Sequence, residues 1–558
     1  MRPAHTAPPG CPRPTPGGDV TTERTTKAPR GGALAPLAIP VFRALWIAVL
    51  VSNIGSWMQT VGAQWLLVDE HAAPVVVALV QTASSLPVLL VGIPAGVIGE
   101  FVDRRKLLIG VQAFQVVVGV VMTVLTATGD MTPALLLTVT FLLGTASALQ
   151  LPAYQALVPE IVPRAAITDA AALSSVGVNV ARAIGPALAG VVIAQLGVPF
   201  VFAANALSFA LFLVVLVAWR GYQRPETRAE PFIDATRAGL RYVLHAAVVR
   251  RLLVQLAVFM VPANALWALL PLVADGSLGL SSGGYGLLLA AVGIGSVGGA
   301  FLMPAVRARL GIGRTVGIAS VVFGVCTTVV ALVPVLEVVL VALLVGGVAW
   351  IAVVTTLNGT VQAFLPAWVR TRGLAAYQLV LFGCTAIGAA LAGAVATPLG
   401  VTGVLAGAGV LTALSAAVLL VSGFPVLTDR QRAVTPMPFG DEVFVADDHG
   451  AATGETLVLL HWTVPADAVD EFRARAERLG RSRRRTGARD WNLYRDVATG
   501  PDAWVEAFRV GSWQEHVDQH EVRQTGDDAR TLQAVREVAG EPRVEHLVAE
   551  GVGSPSSG

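Results

Sequence analysis

Cysteine is nearly absent from this chain. Its 558 residues include Cys11, Cys326 and Cys384 and no others. One lies in a Pro-rich leader and two in apolar runs, so no disulfide framework or CxxC metal site can be built from them. Lysine is scarcer still: Lys27 and Lys106 are the whole set, and neither sits in GxxxxGK[ST]. Without that phosphate-binding loop, an ATP-driven pump complete in one polypeptide is disfavoured. Charge is low as well, at 14%, where a soluble domain carries about 25%. With 54% hydrophobic residues and a mean hydropathy of +0.67, a wholly soluble protein is excluded.

The charge that is present is unevenly placed. Residues 425–558 hold 16 Lys/Arg and 23 Asp/Glu in 134 positions, whereas residues 1–424 hold 23 and 14 in 424 positions. The body is membrane-like with a net charge of +9 and the tail soluble-like with −7. The overall +2 is a cancellation and gives no reason to expect nucleic acid as a partner. Residues 1–40, rich in Pro, Gly, Thr and Ala, read as a disordered leader without the short apolar core of a secretory signal.

A bilayer span needs about 20 mostly apolar residues. Twelve runs qualify: 43–68, 75–98, 106–128, 133–154, 169–195, 198–219, 251–274, 283–306, 313–334, 337–363, 371–397 and 400–424. Arginine and lysine collect in alternate connections, among them Arg104-Arg105-Lys106, Arg164, the stretch from Arg220 to Arg251, Arg307 to Arg314, and Arg370 with Arg372. The intervening loops, such as 69–74 and 275–282, have none. This asymmetry predicts a plasma-membrane protein with both termini cytoplasmic.

The body also repeats itself. Ala183–Val198 (AIGPALAGVVIAQLGV) and Ala386–Val401 (AIGAALAGAVATPLGV) match at 11 of 16 positions with an offset of 203. A fainter echo pairs Gln155-Ala-Leu-Val-Pro159 with Gln362-Ala-Phe-Leu-Pro366. The matches fall on helices 5 and 11, as two six-helix halves of like orientation require. The halves are then 41–219 and 251–424, with 220–250 as a cytoplasmic linker whose segment DATRAGLRYVLHA suits a surface helix.

Arg182 is the one charge near the middle of any span, and a charge there is costly unless it faces a cavity or a partner. Ser175, Asn179, Arg182 and Pro186 share a helical face. An anionic or carbonyl-rich substrate, an acid met when access switches, or loop carbonyls would each suit the guanidinium. Helix 1 carries a polar-aromatic stripe of Asn53, Ser56, Trp57, Thr60 and Gln64, read either as cavity lining or as interhelical hydrogen-bond glue. Asn264, Trp267 and Gln378 are further cavity candidates. No acid lies deep in a span, so no proton carrier is identified.

Several stretches carry a family resemblance. They are Gly96-Val-Ile-Gly-Glu100-Phe-Val-Asp103-Arg104-Arg105, PAYQALVPEIVPRAAITDAAAL (152–173), NVARAIGPALAG (179–190), SNIGSWMQ (52–59) and LPAWVRTRGLAAYQLV (365–380). Over residues 40–424 the chain resembles a major facilitator superfamily transporter, in the branch of the enterobactin exporter and the transmembrane secretion effectors. The resemblance implies alternating access, export of a small metabolite, and antiport on an ion gradient. It makes Gly96, Glu100, Asp103, Arg104 and Arg105 a conformational latch, here with Glu100 in the usual Asp place and Phe101 in the usual Arg place. It makes Arg182, Gly185, Pro186 and Gly190 the antiporter-like bend.

Two other motifs are set aside. Gly293-Ile-Gly-Ser-Val-Gly298 matches GxGxxG but lies inside an apolar run with no preceding strand, so helix packing explains it. His516 and His520 lack the glutamate of HExxH, and no metal or other cofactor is expected. After a linker at 425–454, the tail reads β-α-β-β-α-β over 455–550: strands at 456–464, 488–497, 502–510 and 542–550, helices at 466–484, 512–523 and 527–539. This is a ferredoxin-like order, followed by a short disordered end at 551–558. The tail resembles the dimeric α/β-barrel domains of the antibiotic-biosynthesis monooxygenase type, which implies pairing through sheets. Trp513, His516 and His520 would be its catalytic candidates were it an enzyme, but fold analogy does not establish catalysis. The expectation is a transporter with no catalytic residues; the alternative is a membrane-anchored enzyme or sensor with the tail as effector.

Overall fold

The computed structural model describes residues 34–163, 166–219, 242–366, 369–422, 424, 435 and 455–549, with backbone alone at 93–101, 168, 371 and 420–422. Most of the leader, Arg164, the linker positions 220–241 and most of 425–454 therefore lie outside the described residues.

Among the described residues, the elements of the body are all helical. Its first half comprises α1 (Pro40–Asp69), α2 (Pro74–Phe101), α3 (Arg104–Thr128), α4 (Pro133–Ile161), α5 (Ile167–Leu196) and α6 (Val198–Ala218). The second comprises α7 (Ala247–Leu272), α8 (Ser282–Leu310), α9 (Ile312–Leu332), α10 (Leu336–Phe364) and a final run, Arg370–Ser422. Among the described residues, eleven runs are thus long and apolar enough to cross a membrane. The last spans 370–422 but leaves helical geometry at Gly400, with φ 76° and ψ 155°. It is two segments, α11 (370–399) and α12 (401–422), which restores the expected twelve. Gly197, at the α5–α6 junction, adopts a similar backbone, with φ 94° and ψ 169°. Both glycines come from the Leu-Gly-Val that closes each repeat, and a positive φ is open to glycine at little cost.

Helix starts follow local chemistry. Prolines open α1, α2 and α4, where a missing N–H costs nothing. The Thr132 side chain accepts the Leu135 N–H at 3.3 Å, and Asp103 accepts that of Lys106 at 2.9 Å. In each half the first and third helices pack on the fifth and sixth: α1 against α5 and α6 and α3 against α6 in the first half, α7 and α9 against the α11–α12 run in the second. The halves meet along α5–α8 and along α2 with the α11–α12 run.

The tail forms a four-stranded antiparallel sheet in the order β2-β3-β1-β4, from β1 (Thr456–Thr463), β2 (Arg489–Arg495), β3 (Ala503–Val510) and β4 (Arg543–Val548). Helices α13 (Val469–Thr486) and α15 (Gly526–Ala539) cover one face, with α14 (Trp513–Asp518) leading into a wider turn at Gln519–Arg523. Alternation sets the faces: Val458, Leu460 and Trp462 are buried beneath the helices with Phe472, Phe508 and Val535. The βαββαβ reading is therefore realised, with strand ends one or two residues shorter than expected.

Tyr242 joins tail and body. It sits in a helical turn just before α7 and is 1% exposed. Burial foremost pushes its phenol up to about 12; nearby Arg485 lowers the value and Asp528 raises it. Those two residues form an ion pair between α13 and α15, so the turn that leads into α7 lies near a charged pair of the tail.

Candidate functional site

The site is a frame of close helix contacts around one charge. A Cβ built on Gly190 of α5 falls 2.8 Å from the Cα of Gly286 on α8, and one on Gly293 falls 2.6 Å from that of Ala183. Across the second seam, Gly393 would meet Ala78 Cβ at 2.5 Å and Val75 Cα at 2.9 Å on α2. Small residues let the backbones touch here. The repeat is visible in these contacts, since Gly190 and Gly393 are 203 residues apart. Gly185 and Gly388 keep the same offset. Gly185 packs on Ile54 O and Trp57 Cβ of α1, and Gly388 on Val261 O and Asn264 Cβ of α7.

Hydrogen bonds reinforce the same end of the molecule. Gln64 of α1 donates through Nε2 to Trp267 O of α7 at 3.3 Å and accepts from the Tyr285 hydroxyl of α8 at 2.8 Å. Tyr285 also stacks on Trp65, with ring centres 5.9 Å apart. Gln64 and Trp267, both expected as cavity lining, are therefore brought together as a clasp between the halves. Tyr285 and Gly286 were not expected. Their signal was the Gly-Gly-Tyr-Gly at 283–286, a polar-capable aromatic among small residues at the start of an apolar run.

Deeper in, Trp57 passes Gly185 and its ring lies 5.6 Å from the guanidinium carbon of Arg182. Ile184, Leu188 and Val191 form the outward face of α5, and Arg182 stands on the opposite side of the helix by 100° spacing. It points between α1, met by Gly185, and α8, met by Ala183. Its Nε is buried without a hydrogen-bond partner among the described residues. Other predicted polar residues are satisfied locally. Thr60 bonds Ser56 O at 3.1 Å, Asn179 bonds Ser175 O at 2.9 Å, and buried Asn264 bonds Met260 O at 2.6 Å. Asn53 and Gln378 are half-buried on α1 and α11, and the described contacts do not join them to Arg182. Pro186 is buried within α5.

The latch residues divide. At Gly96 and Glu100 only the backbone is described. Asp103 caps α3. Arg104 pairs with Glu160 of α4 and donates to Ala156 O at 3.4 Å, while Arg105 donates to Leu216 O at 2.9 Å and Val217 O at 3.1 Å. In this conformation Arg104 and Arg105 tie α3 to α4 and α6 inside the first half. Gly293 and Gly295 both pack closely on other helices, at Ala183 and Leu344, as the packing explanation of GxGxxG required. An apolar cleft of about 140 Å³, lined by Met303, Val306, Ile318, Val322, Val345 and Ala352, opens between α8, α9 and α10, away from Arg182.

In the tail, Trp513, His516 and His520 do cluster, and His546 of β4 completes the group. His516 is fully buried, with Nε2 3.1 Å from that of His546 and Nδ1 3.1 Å from Gln519 Oε1. Burial foremost, then the neighbouring His520 and His546, holds the His516 ring down to about 2.

Comparison with known proteins matches this architecture. The sequence profile named Transmembrane secretion effector matches residues 31–553. The "Staphyloferrin A transporter" of Staphylococcus aureus is 24% identical over 275 residues, 49% of this chain and 69% of the relative. The "Multidrug efflux pump Tap" of Mycobacterium tuberculosis is 25% identical over 369 residues, 63% of this chain and 86% of the relative. Among solved structures, a bacterial homolog of the human lysosomal transporter Spinster superposes with a TM-score of 0.58 at 13% identity, covering 72% of this chain and 99% of that one.

Proposed function

The chain belongs to the transmembrane secretion effector family of major facilitator transporters, a polytopic membrane carrier of small molecules and not an enzyme, and from this we propose that it exports a small metabolite, siderophore-like or drug-like, by alternating access coupled to an ion gradient. The observation that carries the reading is the clasp of Gln64, Trp267 and Tyr285 with the Gly190–Gly286 crossing. These hold the halves together at the ends of α1, α5 and α7 and the start of α8. Helices packed through small residues and single hydrogen bonds can part without breaking a core, which is what rocking of two halves about a midplane site requires.

With the basic loops placed in the cytoplasm, the clasped end is the outer one and the site around Arg182 is reached from inside. Two relatives named for siderophore transport and for multidrug efflux support export. Antiport, with the proton as the coupling ion, follows the family pattern. The latch residues Glu100, Asp103, Arg104 and Arg105 would steady one access state. The tail would act as an accessory domain, pairing with a second copy through its uncovered sheet face, where Leu547 and Tyr494 are exposed. The contact at Tyr242 favours an accessory role over that of an independent effector.

The test is an efflux assay in cells stripped of their own pumps. Expression of the chain is expected to lower accumulation of an exported dye or drug, and an uncoupler to abolish that effect. Export that persists after the gradient is collapsed would overturn the antiport; truncation of 440–558 without loss of export would place the tail outside the transport cycle.

A further inference from the structure

We infer that the interface between the halves binds one amphipathic organic carboxylate, its anionic group on the Arg182 guanidinium and its apolar body against Trp57. This rests on the transporter reading and specifies the substrate class of that same site.

Arg182 stands at the midpoint of α5, and the other charged residues of the described spans lie near helix ends. It faces away from the outward side of its helix and toward the seam between α1 and α8. Its buried Nε has no hydrogen-bond partner, and no described residue forms an ion pair with it. The Trp57 face at 5.6 Å gives a cation–π contact, worth about 0.5–2 kcal/mol. That is small against the cost of a charge at mid-membrane. A guanidinium offers a planar fork that matches an oxyanion bidentately.

The internal repeat shows that this charge is not needed for packing. Position 182 corresponds to Thr385 at the offset of 203, between the same glycine contacts. There the hydroxyl donates to Leu381 O of its own helix at 2.9 Å and nothing else is required. The frame is symmetric and the charge is not. The unmet group at Arg182 is a donor, so a ligand there brings an acceptor. The aromatic face beside the cation selects an apolar body next to the anionic group, which distinguishes such a carboxylate from inorganic phosphate or a lipid phosphate.

The test uses the purified full chain in neutral detergent, with 2-naphthoate, the neutral 2-naphthamide and inorganic phosphate as probes and binding measured by titration. Naphthoate is expected to bind at least about tenfold more tightly than the amide, the size of one charge-assisted hydrogen bond. Arg182→Gln should erase that ratio without altering the size-exclusion profile. If Arg182→Gln does not fold, Arg182→Lys keeps the charge and loses the fork, and a several-fold weaker naphthoate affinity is expected. Equal affinity for acid and amide, no binding of naphthoate, phosphate binding as tightly as naphthoate, or an unchanged ratio in both variants would each overturn the carboxylate site. Gradient-driven dye efflux that survives such a result leaves the exporter reading intact. Discrimination at Arg182 without any gradient-driven efflux supports the site and removes the exporter reading.

Discussion

The Cα atoms of Gly190 and Gly286 face each other so closely that a Cβ on either would lie 2.8 Å from the Cα of the other. No side chain fits, so Gly190→Val forces α5 from α8. Overpacking of this kind costs about 1–3 kcal/mol, and the state in which this end is open avoids it. Spin labels at exposed Gln195 and Leu287, in a background without native cysteines, are expected to report longer distances in Gly190→Val than in the parent. An unchanged distance distribution would show that the crossing is not what holds this end closed.

Gln64 makes the complementary prediction with no change of volume in the glycine seam. Tyr285→Phe removes the 2.8 Å hydrogen bond and keeps the ring on Trp65; Gln64→Leu removes that bond and the one to Trp267 O. One hydrogen bond is worth about 0.5–1.5 kcal/mol net, or about a two- to tenfold change in population. Thiol accessibility of a cysteine placed at Trp267 is expected to rise in both variants, more in Gln64→Leu. Combining them should add little to Gln64→Leu alone, because the Tyr285 bond is shared.

Much of this arrangement is legible in the residues. The 203-residue offset identified α5 and α11 as equivalent, and the same offset relates Gly190 to Gly393 and Gly185 to Gly388 as points of close approach. Arg182 was conspicuous because charge inside a span is expensive. The partners were not legible. That Gln64 would find Tyr285, and Arg104 would find Glu160, depends on the crossing of helices far apart in sequence, which hydrophobic periodicity does not encode. Gly400 shows the reverse case. A positive φ interrupts a run that is apolar and helix-forming throughout, and the Leu-Gly-Val shared with 196–198 was the sign of it. In the tail, alternation sufficed for the strands, but His546 joined His516 only through the β1–β4 pairing.

Arg104, Arg105 and Asp103 generate separable effects at the end of the first half. Asp103→Ala removes the cap of α3 and is expected to cost about 1 kcal/mol. Glu160→Gln weakens a partly buried ion pair with Arg104, side chains 14% and 26% exposed, and should cost about 1–3 kcal/mol. Arg105→Lys replaces a fork that reaches both Leu216 O and Val217 O by a point charge and is not conservative. Thermal unfolding of the three variants in detergent, followed by tryptophan emission, is expected to rank Glu160→Gln as the least stable of the first two. The reverse order would indicate that the cap, not the ion pair, fixes the start of α3.

His516 gives the tail a defined acid response. Gln519 donates through Nε2 to Thr486 Oγ1 at 2.8 Å, which turns its Oε1 toward the ring, so His516 Nδ1 is the donor and its Nε2 accepts from His546. A second proton on His516 would set two N–H groups face to face at 3.1 Å. Burial, with His520, His546 and Arg483 nearby, accordingly holds the ring down to about 2, and burial also lowers His546. An unfolded histidine takes up a proton near 6.5. The stabilising contribution is thus fully present above pH 6.5 and lost as pH falls from 6.5 toward 2, at about 1.4 kcal/mol per pH unit for each proton. Unfolding of the tail in the full chain, followed by near-UV circular dichroism, is expected to shift to lower temperature steadily between pH 6.5 and 4.5. His516→Gln, which keeps a polar group and cannot be protonated there, should flatten that slope by about one proton. A slope unaltered by the substitution would place the acid sensitivity elsewhere in the tail.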